Sequence, residues 1–311
     1  MRRYAAIDCG TNAIRLLVAD VIDGELVEIL REMRTVRLGE GIDATGEFTS
    51  PALTRTFAAV DEYAALIDEL GVESLRMVAT SASRDARNAQ DFVDGVRQRL
   101  GIDPEVIAGE QEAELSFTGA VRGLPPSALQ WPVLVADIGG GSTEFVLGGL
   151  RGTQQHIEAA VSVDVGCVRM TERHLHSDPP SDDEIDATVE TIDAILDQAF
   201  ARVPIEEVCT FVGLAGSVTT VAALAHELDE YDPELIHGSV TSLGQIEAVT
   251  ASLLAMTKSE RAALTVMHPG RVDVIAGGAL VLRQILRQLP VESVIASETD
   301  ILDGIVYSLV V

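Results

Sequence analysis

The sequence is poor in cysteine and in basic residues, and each shortage excludes a class of protein. Its three cysteines, at positions 9, 167 and 209, lie far apart and form no CxxC or Cys/His spacing. Neither a disulfide scaffold nor a zinc site is therefore predicted, and we expect a reducing, cytoplasmic compartment. The chain has 22 Lys and Arg residues against 49 Asp and Glu, a formal net charge of −27. Proteins that bind nucleic acid or anionic membranes carry a basic face, so neither partner is expected.

Long hydrophobic runs are also scarce. The N-terminus reaches Asp8 before an apolar segment long enough for a signal peptide has formed. One uncharged stretch of 18 residues, 208–225, touches the length of a membrane span, but glycine, serine and threonine interrupt it. A strand, a glycine turn and a helix explain this stretch better. The composition, 47% hydrophobic and 23% charged, is that of a globular protein, and 311 residues predict two domains.

Two segments share one pattern: a short apolar strand, an aspartate, a glycine turn and a second β-prone strand. The first begins at Tyr4 and contains Asp8, and the second begins at Val133 and contains Asp137, so that 129 residues separate the aspartates. Two copies of one unit, about a domain apart, predict two α/β domains of similar fold.

The other expected elements alternate as they do in an α/β protein. A helix should begin at Ser50 as its N-cap and end before Gly71, and a capping box at Ser181 should open another. Residues 123–126 are interpreted as the crossing between domains 1–125 and 126–311. Further helices are predicted at 91–100, 110–121, 216–228, 243–256, 274–289 and 299–310, and strands at 75–79, 106–108 and 208–214.

The two glycine turns have the composition of anion-binding sites. Glycine lets backbone N–H groups approach an anion without a Cβ in the way. Asp8 and Asp137 would repel phosphate, so we interpret them as ligands of a hard cation. Either turn alone can also be only a turn, and neither matches a P-loop or a dinucleotide-binding GxGxxG. The phosphate-binding candidates are Gly10, Thr11, Asn12, Gly139, Gly140, Gly141, Ser142 and Thr143.

Candidates outside the turns are an arginine, a glutamate and a Gly-Ser pair. Arg84 follows a strand, and its guanidinium suits two phosphate oxygens, although a loop arginine is often solvated or paired with a neighbour such as Asp85. Glu112 lies in the first turn of a predicted helix, where the helix dipole alone explains a carboxylate. Its functional interpretation is a general base that deprotonates water. Gly216 and Ser217 either contact an anion at a helix N-terminus or mark close helix–strand packing.

In this order and spacing, the motifs resemble the exopolyphosphatase and guanosine pentaphosphate phosphohydrolase family. The resemblance covers essentially the whole chain. It implies two ribonuclease-H-like domains of the actin, sugar kinase and heat-shock ATPase superfamily around an interdomain cleft, with the helix at about 299–311 returning to the first domain. The segments that carry the resemblance are 8–12, 79–88, 109–113, 137–144, 216–217, 271–273 and 297–304.

The resemblance also implies roles for single residues. Glu112 matches the catalytic glutamate, and Asp137 and Glu144 match carboxylates that bind Mg²⁺. With Asp8 from the turn pattern, they form our metal assignment, for which Mn²⁺ is the alternative ion. One departure is that Thr11 and Ala13 stand where many members have serine, which removes one possible hydroxyl contact. The positions that match phosphate contacts are Thr11, Asn12, Arg84, Gly140 and Ser142.

The implied activity is hydrolysis of the terminal phosphoanhydride of inorganic polyphosphate, and we expect a homodimer. Longer members continue into C-terminal domains that help to hold long polymers, so short chains are expected here. The alternatives are a guanosine pentaphosphate 5′-phosphohydrolase, a nucleotide-binding kinase or ATPase, and a non-catalytic alarmone sensor. Because the net charge repels a polyanion, the site must be locally positive. We expect that charge from the arginines at 15, 31, 34, 37, 84 and 87.

Overall fold

The computed structural model describes residues 2–152 and 154–310, which divide into two compact units. The first unit contains the residues up to Gly119 and those from Ile301 onwards, and the second unit is Ala120–Asp300. The division falls a few residues before the segment 123–126, inside a helix. The last helix of the chain is thus grouped with the first unit.

Groups of strands and groups of helices alternate along the chain. The strands are β1 (Arg3–Cys9), β2 (Ala13–Ile22), β3 (Glu25–Thr35), β4 (Ser74–Ala79), β5 (Glu105–Val106), β6 (Val133–Ile138), β7 (Thr143–Arg151), β8 (Gln154–Val163), β9 (Thr210–Leu214), β10 (Val240–Ser242) and β11 (Ser293–Ala296). The helices are α1 (Ile42–Thr45), α2 (Ser50–Glu69), α3 (Ser81–Asp85), α4 (Ala89–Leu100), α5 (Gly109–Gly123), α6 (Cys167–His174), α7 (Asp182–Phe200), α8 (Ala215–Ala225), α9 (Pro233–Ile236), α10 (Leu243–Ala255), α11 (Lys258–Ala262), α12 (Ile275–Gln288) and α13 (Ile301–Leu309).

Each unit contains one mixed sheet, and the two sheets share a strand order. The first is β3-β2-β1-β4-β5, and the second is β8-β7-β6-β9-β11-β10. In both, the first two strands form an antiparallel hairpin, the third strand pairs antiparallel with the second, and the fourth strand lies parallel to the first. Strands β6, β7 and β9 therefore correspond to β1, β2 and β4, which confirms the predicted pair of similar α/β domains.

Strand β1 of the first sheet is buried on both of its sides, since its side chains alternate between two apolar clusters. Ile7 and Cys9 join a core under α2 and α4 that contains Tyr63 and Phe92. Tyr4 and Ala6 face the other way, into a second cluster with side chains of α13. Helix α13 is thus packed as an integral layer of the first unit.

Two of the predicted helix caps can be compared directly with the structure. The side chain of Thr49, and not Ser50, caps α2 by accepting a hydrogen bond from the backbone N–H of Ala52, because Ser50 already lies in the first turn. The predicted capping box between Ser181 and Glu184 is present at α7.

Four strands, β3, β8, β10 and β11, are absent from the sequence prediction. Strand β3 carries charged side chains at positions 25, 28, 31, 32 and 34, which obscures the alternation of a half-buried strand. Charged edge strands are common because they discourage pairing with another sheet. The uncharged stretch 208–225 forms β9 and α8, as expected. Among the described residues, no helix has both the length and the apolar character of a bilayer span.

Candidate functional site

The first glycine turn closes the β1–β2 hairpin. The Gly10 N–H donates to the Ala13 carbonyl at 3.0 Å. Directly before the turn, Asp8 is buried and lies opposite Arg15 on β2. The Arg15 guanidinium donates from Nη2 to Asp8 Oδ2 at 2.6 Å and from Nε to the same oxygen at 3.1 Å. The charge of Asp8 is therefore already balanced by a cation of the protein, and its assignment to a metal stays a prediction.

The segment that follows β3, residues 36–39, supports this turn from outside. The Asn12 carbonyl accepts hydrogen bonds from the N–H groups of Val36 and Arg37, at 3.1 and 2.8 Å, and Gly39 N–H donates to the Thr11 carbonyl at 2.9 Å. A Cβ on Gly39 would lie 2.4 Å from Thr11 Cγ2, so any other residue there would require the Thr11 side chain to move. This support was missed from the sequence, where a glycine after an arginine and a leucine gives no distinctive signal.

The second glycine turn closes the β6–β7 hairpin in the same way. Gly139 N–H donates to the Ser142 carbonyl at 3.0 Å. The Thr143 hydroxyl donates to the Val165 carbonyl at 2.6 Å and is fully buried. A hydroxyl has one proton to donate, so the side chain of Thr143 stabilises the turn and does not offer that proton to an anion in this arrangement.

The start of α6, which the sequence analysis also missed, fixes the carbonyl groups of this turn. The Gly139 carbonyl accepts from Cys167 N–H at 3.0 Å, and the Gly140 carbonyl accepts from Val168 N–H at 2.9 Å. A Cβ on Gly166 would lie 2.5 Å from the Gly140 oxygen. Glycine at 166 therefore lets α6 approach the turn closely. The first N–H groups of the helix, which have no partner within it, can then donate to the carbonyl groups of the turn.

Asp137 and Glu144 lie opposite each other on β6 and β7, and both are buried. The Ser162 hydroxyl donates to Glu144 Oε1 at 2.6 Å. Like charges directly opposite on a sheet repel, and a cation shared by them removes the repulsion. No group of three or more His, Cys, Asp or Glu side chains able to hold a metal is found in the described part of the chain. Two carboxylates fit Mg²⁺, because Mg²⁺ usually takes one or two protein carboxylates and completes its shell with water and substrate phosphate.

Arg84 and Glu112, 28 residues apart in sequence, are in direct contact. Arg84 Nη1 donates to Glu112 Oε2 at 2.7 Å and to the Ile107 carbonyl at 3.1 Å. Helix α3 ends next to Arg84, and α5 carries Glu112 in its first turn. The glutamate side chain is 10% exposed and that of the arginine 24%. A group suited to bind phosphate thus touches a group suited to accept a proton from water.

The Gly-Ser pair at the start of α8 lies against an arginine. A Cβ on Gly216 would lie 2.4 Å from Arg271 Nε. Arg271 donates to the Thr220 hydroxyl at 2.9 Å and stacks over the Tyr231 ring at 5.5 Å. This contact is with an arginine side chain and not with a strand, so the assignment of Gly216 to phosphate binding stays a prediction. Ser217 is buried, and its assignment to phosphate binding stays a prediction.

Most of the arginines expected to make the first domain positive have acidic partners. Each ion pair balances the charge locally, so these side chains contribute less to a positive field than their number suggests. The pairs are Arg15 with Asp8, Arg31 with Asp303, Arg34 with Glu62, Arg84 with Glu112 and Arg87 with Glu47.

Comparison with known proteins gives concordant similarities. Residues 17–311 match the Ppx/GppA phosphatase family. The chain is 46% identical to Exopolyphosphatase 2 of Mycobacterium tuberculosis over 99% of both chains. Among solved structures it is similar to an exopolyphosphatase-like protein, with a TM-score of 0.95 and 42% identity over 99% of this chain and 97% of the other. It is also similar to an exopolyphosphatase from Cytophaga hutchinsonii, with a TM-score of 0.88 and 27% identity over 99% of this chain and 97% of the other.

Proposed function

The chain belongs to the Ppx/GppA phosphatase family, and from this premise we propose that it is an exopolyphosphatase that releases orthophosphate from the end of inorganic polyphosphate. The name of the relative from Mycobacterium tuberculosis supports this substrate. The observation that carries the proposal is the contact between Arg84 and Glu112 at 2.7 Å. It joins a phosphate-binding side chain and a proton acceptor in one place.

The proposed reaction is attack of water on the terminal phosphorus. Phosphoryl transfer needs mainly positioning and stabilisation of charge. Arg84 and the turn that contains Gly10, Thr11 and Asn12 would hold the terminal phosphate. Glu112 accepts a proton from water as the new P–O bond forms, and the bridging P–O bond breaks to leave a chain shorter by one phosphate. The proton then passes from Glu112 to solvent or to the departing orthophosphate.

A divalent cation has its best ligands in the second unit. Asp137 and Glu144 would hold Mg²⁺, or Mn²⁺ in its place, and the ion would neutralise charge on the phosphate oxygens. Asp8 is the weaker ligand of the three, because its contact with Arg15 at 2.6 Å competes with a metal. The glycines at 139, 140 and 141 and the hydroxyl of Ser142 would add neutral donors, which bind phosphate without adding charge.

We further propose that short chains are preferred. A net charge of −27 repels polyphosphate in proportion to its length, and most of the arginines of the first unit are paired. We also keep the homodimer as a proposal, which the molar mass in solution measures directly.

The test is release of orthophosphate from polyphosphates of defined length, beside guanosine pentaphosphate and ATP, with Mg²⁺ and with a chelator. We expect release from polyphosphate only with Mg²⁺, with kcat/KM falling as the chain lengthens. Faster release from guanosine pentaphosphate would establish the nucleotide phosphohydrolase instead. Transfer of phosphate between ATP and polyphosphate would indicate a kinase, and binding of guanosine pentaphosphate without any turnover would indicate a sensor.

A further inference from the structure

We propose that the ion pair between Arg84 and Glu112 is a latch that substrate opens. In the free protein Arg84 engages the carboxylate, and the terminal phosphate competes for the guanidinium and so releases Glu112 to accept a proton from water. The inference rests on the proposed function, because it assigns the phosphate to Arg84 and the proton to Glu112. Arg84 thereby acts as a positioning residue for Glu112 as well as a phosphate ligand.

The geometry of the pair favours an exchange of partners. The contact of 2.7 Å between Arg84 Nη1 and Glu112 Oε2 is a charge-assisted hydrogen bond. A carboxylate that accepts from a guanidinium is a weaker acceptor for a proton of water, since the cation favours its ionised form. Glu112 is nearly buried while Arg84 is about a quarter exposed. An anion from solvent can therefore reach the arginine.

A second contact keeps Arg84 in place during the exchange. Nη1 also donates to the Ile107 carbonyl at 3.1 Å, and Ile107 N–H donates to the Ala79 carbonyl at 3.1 Å. The guanidinium is thus anchored to the backbone at the end of β4 independently of Glu112. When the carboxylate leaves, the guanidinium need not swing away with it.

The chemistry of the competitors sets the direction of the exchange. Glu112 accepts from Arg84 Nη1 through its Oε2 oxygen. A terminal phosphate offers two oxygens and up to two negative charges, and the planar guanidinium binds such a group through two parallel hydrogen bonds. The better acceptor therefore displaces the carboxylate, and no bond is made or broken covalently in this step.

The latch has a consequence that a simple active site does not share. Replacement of Glu112 by glutamine removes the competitor, so the variant Glu112→Gln should bind phosphate more tightly than the wild-type protein. Loss of the direct repulsion between the Glu112 carboxylate and the phosphate would also tighten binding. The two causes differ in their dependence on Arg84, because competition acts through the arginine and repulsion does not.

The experiment is a double-mutant cycle on affinity. The wild type, Glu112→Gln, Arg84→Met and the double variant are titrated by calorimetry with inorganic orthophosphate and with a methylene-bridged tripolyphosphate that is not hydrolysed. We expect Glu112→Gln to tighten binding about tenfold when Arg84 is present and by less than about twofold in the Arg84→Met background. Equal tightening in both backgrounds, no tightening, or no binding by the first two proteins would overturn the latch.

A second variant covers the case in which Arg84→Met does not fold. Arg84→Lys keeps a cation that can contact Glu112 but lacks the two-pronged geometry. We expect the KM for tripolyphosphate to rise about tenfold while kcat falls less than threefold. A merely structural role would instead lower kcat at unchanged KM, because it would reduce the fraction of active protein, and that result would also overturn the latch.

The two proposals fail separately. Turnover of polyphosphate by the wild type reports the proposed function, and the affinity cycle reports the latch. If the wild type hydrolyses polyphosphate while the cycle shows no coupling, only the latch fails. If the cycle shows coupling while no phosphate is released from polyphosphate, the latch holds for an anion and the proposed function fails.

Discussion

Asp137 and Glu144 face each other across β6 and β7 as a buried pair of like charges. The equivalent positions of the first unit hold Asp8 and Arg15, which form an ion pair at 2.6 Å. One internal repeat therefore carries a neutralised pair and the other two carboxylates. This difference between the repeats supports the proposal that Mg²⁺ binds at the second hairpin and not at the first.

Removal of Asp137 should abolish stabilisation by Mg²⁺. In the wild type, saturating Mg²⁺ should raise the thermal midpoint by several degrees, since a ligand at about 100 times its Kd adds about 2.7 kcal/mol. Asp137→Asn without Mg²⁺ should be at least as stable as the wild type, because the repulsion from Glu144 is relieved, and Mg²⁺ should not change its midpoint. Thermal unfolding with and without Mg²⁺ measures both effects. Glu114→Gln, a change at an exposed carboxylate of α5, is the control, and an unchanged Mg²⁺ response in Asp137→Asn would refute the assignment.

Glu112→Gln should lose turnover while it retains its fold and binds substrate at least as tightly as the wild type. Removal of a general base costs about 10²–10⁴ in rate, and the amide is isosteric with the carboxylate. Steady-state release of orthophosphate and circular dichroism measure the two properties. Glu114→Gln, two residues along the same helix, should keep the wild-type rate. A rate for Glu112→Gln within a fewfold of the wild type would remove Glu112 from the reaction.

The two hairpins were predictable from sequence because their signal is local. An apolar strand, an aspartate and a glycine turn occur twice at an offset of 129 residues, and the structure has both hairpins at the predicted places. The family and the fold class followed from the same motifs and are confirmed. The capping box of α7 was predictable for a similar reason, since its two residues lie within one helical turn.

The contacts that complete the site are tertiary and had no such signal. Arg84 and Glu112 were separate candidates, and only the packing of α3 and α5 brings them together. Gly166, which follows β8, allows α6 to pack against the second turn, and the sequence periodicity did not predict that helix. Pairing of Arg34 with Glu62, and the other pairs like it, lowered the positive charge expected in the first unit. Sequence spacing does not determine contacts of this kind.

Gly166→Ala should damage the second turn. The new Cβ would lie 2.5 Å from the Gly140 oxygen and 2.8 Å from the Gly139 oxygen, and both are backbone atoms that must move. We expect a loss of about 1–3 kcal/mol in the free energy of unfolding and at least a tenfold loss of activity. Urea unfolding and phosphate release measure them. Gly244→Ala in α10 is the matched control, because nothing lies within 4 Å of its Cβ position, and alanine there should stabilise by about 0.5–1 kcal/mol. Equal behaviour of the two variants would contradict this account of Gly166.

Ionisation of the Tyr231 hydroxyl should lower the free energy of unfolding at alkaline pH. Burial, and then the nearby Glu298 carboxylate, raises the pKa of Tyr231 from 10.0 to about 12. Because the folded protein holds this proton more tightly than the unfolded chain, the contribution is complete below pH 10 and is lost as the pH rises towards 12.

The variant Tyr231→Phe isolates this contribution. It loses the hydrogen bonds that the hydroxyl shares with Thr219 and Glu298, at 2.7 and 2.6 Å, so we expect it to be about 1–2 kcal/mol less stable at pH 8. The deficit should shrink between about pH 10 and 12, where the wild type begins to lose its advantage. Urea unfolding of both proteins at the two ends of this range measures it. A deficit that does not change with pH would show that Tyr231 does not titrate in this range.

Salt should accelerate the reaction at low ionic strength, contrary to the usual behaviour of enzymes that act on polyanions. Attraction by a positive cleft falls with salt, whereas repulsion by a net charge of −27 is relieved by it. The Debye length shortens from about 30 Å at 0.01 M to about 8 Å at 0.15 M. At a fixed concentration of free Mg²⁺, kcat/KM for tripolyphosphate should therefore rise over this range of NaCl, and more steeply for a longer chain with more charges. Sucrose at matched osmolarity should leave the rate unchanged. A fall of kcat/KM with salt would mean that positive charge around the site outweighs the net charge, and the preference for short chains would then lose its electrostatic basis.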